Sequence, residues 1–117
     1  MTIKKWDIYR ANLDPVIGSE QGKSRPVLVI SEDIINSLLN TVNILPIASR
    51  KAERKVYPNE VLLQKDTQGL PHDSIILCHQ IRTLDKRRLS KKYGEITTDG
   101  IQEEIITALC FQLGIDK

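Results

Sequence analysis

Aromatic side chains are scarce in this chain, with one Trp, one Phe and three Tyr among 117 residues. Proteins that hold single-stranded nucleic acid by base stacking spend many exposed rings on it, so a rich stacking platform is excluded. Cysteine is equally sparse. Cys78 and Cys110 each sit in an apolar run without a His or Cys at metal-ligand spacing, which reads as buried reduced thiols. No apolar run approaches the ~18 residues a membrane helix needs, and the N-terminal stretch lacks the apolar segment of a signal peptide. A soluble, cytoplasmic protein is expected. Carboxylates and histidines do not gather at ligand spacing, so neither a metal nor another cofactor is expected. Repeats and low-complexity segments are absent as well.

Charge is present, and it is unevenly spread. The formal net charge is only +2, yet residues 1–92 carry 16 Lys/Arg against 10 Asp/Glu, while residues 93–117 carry one Lys against five acids. A body of net +6 with a terminal segment of net −4 suggests one face meant for an anion. The length fits one domain over residues 1–117 with a core of ordinary size.

Apolar periodicity predicts mostly strands. Trp6 to Leu13 alternates large apolar with polar residues, the period of a half-buried strand, and Asp14-Pro15 ends it. Val27 to Ile30 is continuously apolar and reads as a strand buried on both faces, with Pro26 at its start. Ser31 is placed to cap a short helix over about Glu32 to Leu39. Val42 to Ser49 reads as a strand that Pro46 assigns to an edge or a bulge. Asn59 to Leu63 is a short strand. Ser74 to Gln80 is a central strand that continues past a bulge into Ile81 to Leu84. A polar turn at Asp85 to Ser90 leads to an edge strand, Tyr93 to Ile96. The last element is a helix with Ile101, Ile105, Leu109 and Leu113 at steps of four, beside Ile106 and Ala108. Thr98 or Asp99 caps it, with Asp99 and Gln102 at capping-box spacing, and Gly114 closes it. These elements predict a mainly β fold with a C-terminal helix, a small and strongly bent antiparallel barrel.

The segment Gly18 to Ser31 stands apart. Its first half is polar, with Gly18 and Gly22 bracketing Ser19, Glu20 and Gln21, and reads as a turn-rich loop. Arg25 marks the junction with the strand, where a loop on a rigid scaffold is a favourable place for a functional group. The competing reading is a structural Arg25 paired with Glu20 or Asp7. Arg50, Lys51, Arg54 and Lys55 make a basic loop that can serve as a phosphate patch or as a solvated surface. His72 and His79 are the two histidines, each able to titrate usefully or to sit inertly at the surface.

Four runs of residues carry a family resemblance. Asp7-Ile8-Tyr9, Leu13-Asp14-Pro15, and Gly18-Ser-Glu-Gln-Gly-Lys-Ser-Arg-Pro-Val-Leu-Val-Ile30, followed later by Asp73-Ser-Ile-Ile-Leu-Cys-His-Gln-Ile-Arg-Thr-Leu-Asp-Lys-Arg-Arg-Leu89, resemble the MazF/PemK toxins of toxin–antitoxin pairs. The resemblance implies an SH3-like barrel and a homodimer. It also implies a metal-independent endoribonuclease of single-stranded RNA, inhibited by a cognate antitoxin peptide laid across the substrate groove. The expected chemistry is attack of the RNA 2′-hydroxyl on the adjacent phosphate, giving a 2′,3′-cyclic phosphate and a 5′-hydroxyl. By position Arg25 is the implied catalytic residue, and its planar fork suits two phosphate oxygens. A guanidinium with a pKa above ~12 is a poor base near neutrality, so its expected role is electrostatic.

The family's second catalytic position is a Thr, and here it holds Ala48, followed by Ser49. Ser49 can replace the missing hydroxyl only if the strand ends or bulges there. Otherwise the chain is a catalytically weakened member that binds RNA or antitoxin. The resemblance places Ser19, Glu20, Gln21, Gly22 and Lys23 in a flap over the RNA, Gln80 at a base edge, and Arg50 and Lys51 beside the site. The related gyrase-binding toxins share the fold but end in Trp-Gly-Ile, where residues 113–115 here read Leu-Gly-Ile.

Overall fold

Side-chain alternation in the first strand sets the plan of the molecule. In β1 (Asp7–Asn12), Ile8 points into one apolar cluster and Tyr9 and Ala11 into another. A sheet buried on both faces follows. The structure is a computed structural model that describes residues 2–116; Met1 and Lys117 lie outside the described residues. The chain continues through β2 (Ser24–Val29), α1 (Asp33–Leu38), β3 (Thr41–Ser49), β4 (Glu60–Leu63), β5 (Ser74–Leu77), β6 (Arg82–Asp85), β7 (Leu89–Glu95) and α2 (Asp99–Leu113), with 3₁₀ turns at Cys78–Gln80 and Lys86–Arg88.

The strands form one antiparallel, seven-stranded sheet in the order β4-β5-β3-β2-β1-β7, with β6 also pairing β3. Strand β3 is therefore the hub, not an edge. One side pairs β2, from Val27↔Pro46 to Val29↔Ile44. The other side pairs β6 through Ile44↔Arg82 and then β5 from Ile47↔Ile76. Pro46 falls in the gap between those two partners, where no ladder donor is required on that side. The gap exists because the segment joining β5 to β6 is a 3₁₀ turn, Cys78–Gln80. The single bulged strand expected over Ser74 to Leu84 is thus two strands separated by that turn.

The sheet bends as a small barrel does, yet β4 and β7 remain unpaired with each other. Packing joins this seam, in part through two glycines. A Cβ on Gly69 would lie 2.0 Å from the Tyr93 carbonyl oxygen, and one on Gly94 would lie 2.4 Å from that of Gln68. The 66–70 loop thereby lies directly on the edge strand β7 and covers it.

Helix α2 seals the cluster formed by Ile8, Leu28, Leu45, Ile47, Val61 and Ile76, inserting Ile105 and Ala108. Full burial of an Ile side chain contributes roughly 2 kcal/mol. Ile101, Ile106 and Leu109 pack against this core, whereas Leu113 is exposed. The expected capping box does not form, because Gln102 Nε2 donates to the Ile96 carbonyl at 2.8 Å. Gly114 ends the helix in the left-handed region, its N–H donating to Phe111 O and that of Ile115 to Cys110 O. Ser31 does not cap α1. Its hydroxyl donates to Asn36 Oδ1 and accepts from Asn43 N–H, tying the helix to β3.

Candidate active site

The β1–β2 connection is folded by its own polar groups. Ile17 N–H donates to Glu20 Oε1 and Lys23 N–H to Asp14 Oδ1, each at 2.8 Å. A Cβ at Gly22 would come within 2.6 Å of Asp14 Oδ1, so glycine is required for the carboxylate to reach the Lys23 amide. Across the fold, Gln80 meets this loop with both ends of its amide. Its Oε1 accepts from Gln21 N–H at 3.2 Å and its Nε2 donates to Ser19 O at 3.1 Å. Ser19, Glu20, His79, Gln80, Ile81 and Arg82 line the resulting open groove, a hollow of about 500 Å³.

Arg25 stands near the start of β2, opposite Ala11 of β1. Its Nε donates to Gly22 O at 2.8 Å. Asp7 is taken by Lys92, 3.2 Å away, and Glu20 by the Ile17 amide. Among the described residues no carboxylate pairs with Arg25, which sets aside the structural reading of this residue. Its two terminal nitrogens are free to receive phosphate oxygens, while Nε fixes the plane of the fork.

Side-chain alternation decides the Ala48–Ser49 question. Val27 and Val29, which share Arg25's face of β2, lie in one cluster with Val42 and Ile44, which share Ala48's face of β3. Leu45 and Ile47, on Ser49's side of β3, lie in the opposite cluster. The ladder continues without a shift through Ile47↔Ile76, Ala48↔Ile75 and Ser49↔Ser74. β3 reaches its last residue, Ser49, without a bulge, so within the strand Ser49 does not take the direction of position 48. Ser49 sits on the face away from Arg25.

The basic loop divides. Arg54 is committed to Glu60, with Nη1–Oε1 at 3.0 Å and Nη2–Oε2 at 2.7 Å. This pair holds the Glu60 carboxyl below its ordinary range, the Arg54 hydrogen bonds outweighing the opposing effect of burial. Arg50 follows Ser49 directly and donates from Nε to Arg54 O, and Lys51 is exposed beside it. Those two remain at the end of β3 nearest Ala48. His72 is exposed ahead of β5, outside the groove lining. Burial pushes the Cys78 thiol up to about 11, which suits the expected inert role, while Cys110 is half-buried and also free.

Two further arginines hold the loop, and sequence reading missed both. Arg82 Nη1 donates to Leu13 O at 3.0 Å, and Arg88 Nη1 donates to Asn12 O and Asp14 O at 3.0 and 2.7 Å. With Arg25 on Gly22 O, three guanidiniums surround the root of one hairpin. The acceptors of Arg82 and Arg88 are backbone carbonyls some seventy residues away in sequence, and no side-chain motif announces such partners. Among the described residues no three His, Cys, Asp or Glu side chains gather as a metal site would need, and no helix is long and apolar enough to cross a membrane.

Comparison with known proteins agrees with this geometry. The family model described as a PemK-like, MazF-like toxin of type II toxin–antitoxin systems matches residues 4–113. The chain is 39% identical over 115 residues to the endoribonuclease EndoA of Bacillus subtilis (strain 168), covering 98% of this chain and 97% of that one. Among solved structures it resembles MazF from Deinococcus radiodurans, with a TM-score of 0.82 at 28% identity over 98% of this chain and 99% of the other. A MazE–MazF structure from the same organism matches with a TM-score of 0.74 at 28% identity over 99% of both chains.

Proposed function

The chain belongs to the PemK-like, MazF-like family of type II toxins, and from that membership we propose how this endoribonuclease toxin cuts RNA. The substrate is single-stranded RNA laid along the groove beside the β1–β2 loop. The 2′-hydroxyl attacks the adjacent phosphate in line, the bond to the 5′-oxygen breaks, and the products carry a 2′,3′-cyclic phosphate and a 5′-hydroxyl. No metal takes part in this proposal. Arg25 binds two phosphoryl oxygens and stabilises the charge that grows on them in the transition state. Ser19, Glu20, Gln21, Gly22 and Lys23 cover the RNA, Gln80 meets a base edge with its donor and acceptor, and Arg50 and Lys51 hold flanking phosphates. The toxin works in the cytoplasm as a homodimer of one-domain chains, and its cognate antitoxin blocks it by occupying the groove.

The observation that carries this reading is Arg25 itself, a guanidinium fixed by one backbone carbonyl and paired with no carboxylate among the described residues. A second reading has its own support. Ala48 puts a methyl group where the family places a hydroxyl, on the Arg25 face, and losing one such donor typically costs ~3 kcal/mol of barrier. The toxin is then a slow ribonuclease that still binds RNA and antitoxin.

Cleavage of a long single-stranded RNA in excess EDTA tests both readings. Fragments with 2′,3′-cyclic phosphate ends, reduced at least ~100-fold in rate by Arg25→Ala, are the expected result. RNA left intact for hours by the unmutated protein would refute the enzyme reading.

A further inference from the structure

Cyclising RNA moves a proton from the 2′-oxygen to the 5′-oxygen, and neither catalytic position described above can carry it. Arg25 does not deprotonate near neutrality, and Ala48 has no exchangeable proton. Glu20 lines the groove, but its Oε1 is spent on the Ile17 amide inside the loop turn. One imidazole remains in the groove wall. His79 is exposed on the 3₁₀ turn, next to Gln80, whose amide contacts the loop residues Ser19 and Gln21 directly before Gly22, the anchor of Arg25.

Resting on the ribonuclease reading, we propose that His79 is the proton-transfer group of the cleavage. Its imidazole takes the 2′-hydroxyl proton as the 2′-O–P bond forms, water protonates the departing 5′-oxygen as the P–O5′ bond breaks, and the imidazolium gives its proton to the hydroxide left behind. The imidazole ends as it began, and no proton is left over. An in-line displacement holds the 2′- and 5′-oxygens on opposite sides of the phosphorus, so the imidazole meets the attacking oxygen and solvent meets the leaving one.

The surroundings of His79 are charged on several sides. Glu20 and Arg82 share its groove. Glu60 of β4 lies close enough for the imidazole to help hold that carboxyl low. Helix α2, which packs against the turn, presents Glu103 and Glu104 to the neighbouring hollow they share with Glu60. Strand β3, also against the turn, has no titratable side chain along Thr41–Ser49. Because His79 is exposed, its replacement leaves the core intact.

The test compares the unmutated toxin with His79→Gln and His79→Ala on the same RNA over a range of pH. The expected result is a fall in kcat of about 100-fold with KM nearly unchanged, loss of one limb of the pH–rate profile, and partial rescue of His79→Ala by added imidazole. An unchanged Tm shows that the variants are folded. A His79→Gln enzyme within twofold of the unmutated rate, with the same pH profile, overturns the role of His79 and leaves the ribonuclease reading standing. Absence of cleavage by the unmutated toxin overturns both.

Discussion

Arg25 and Ala48 lie on the same face of the sheet, each two residues beyond Val27↔Pro46, the last pair of the β2–β3 ladder. A guanidinium on one strand thus shares its face with a methyl group on the next. Ala48→Thr adds a hydroxyl at that point without disturbing the strand, since β-branched residues suit it. Its expected effect is a gain in cleavage rate of up to ~100-fold. Ser49→Ala, on the other face, is expected to change the rate less than about twofold, because a group that never meets the phosphate contributes nothing to its stabilisation. Single-turnover kinetics on one defined RNA measures both variants.

The loop over the groove depends on Gln80, which holds the Gln21 N–H and the Ser19 carbonyl. Gln80→Leu keeps the size of the side chain and removes both bonds. At about 1 kcal/mol for such a bond, exchange of the Gln21 amide should speed up roughly fivefold. Amide exchange followed by NMR reads this directly, and protection at Leu28 or Ile76 in the core should not change.

Arg54 and Glu60 form a two-pronged salt bridge, with the Glu60 side chain 4% exposed and Arg54 39% exposed. Arg54→Met leaves a buried carboxylate without its partner. Since the arginine is partly solvated, the expected loss is about 1–3 kcal/mol, at the lower end of the range for buried pairs. The pH dependence has a definite sign. Glu60 is held below its ordinary 4.5, so the bridge stabilises the fold above that value and is lost as the pH falls through the depressed native one. Denaturant titrations at pH 7 and pH 3 should therefore differ less for Arg54→Met than for the unmutated protein.

Gly69 and Gly94 let the 66–70 loop rest on β7, with both hypothetical Cβ atoms meeting backbone carbonyls closer than 2.5 Å. Backbone cannot turn aside as a side chain can. Gly94→Ala is expected to cost at least ~2 kcal/mol and to lower Tm by about 8 °C. Gly69→Ala should cost more, since its φ of +81° adds strain to the same contact. Thermal melts of the two variants check both values.

Local physics was enough for much of this protein. The strand within Trp6 to Leu13, the apolar strand after Pro26, the helix that buries Ile105 and the turn at Gly114 are each set by residues within a few positions of one another, and each appears in the structure. The order of the motifs around Arg25 and Gln80 carried the family as well. Long-range pairing decided the rest. Pro46 reads as an edge residue because a proline cannot donate to a ladder, but it is tolerated at the hub because β3 changes partners there. Ser49 could be separated from the Arg25 face only by a register that couples β3 to β2 and β5. The anchoring of Arg82 and Arg88 on carbonyls of one hairpin, and the entry of His79 into the groove wall, arise from contacts between segments far apart in sequence. Backbone acceptors carry no side-chain signature, so only the folded chain could bring them into view.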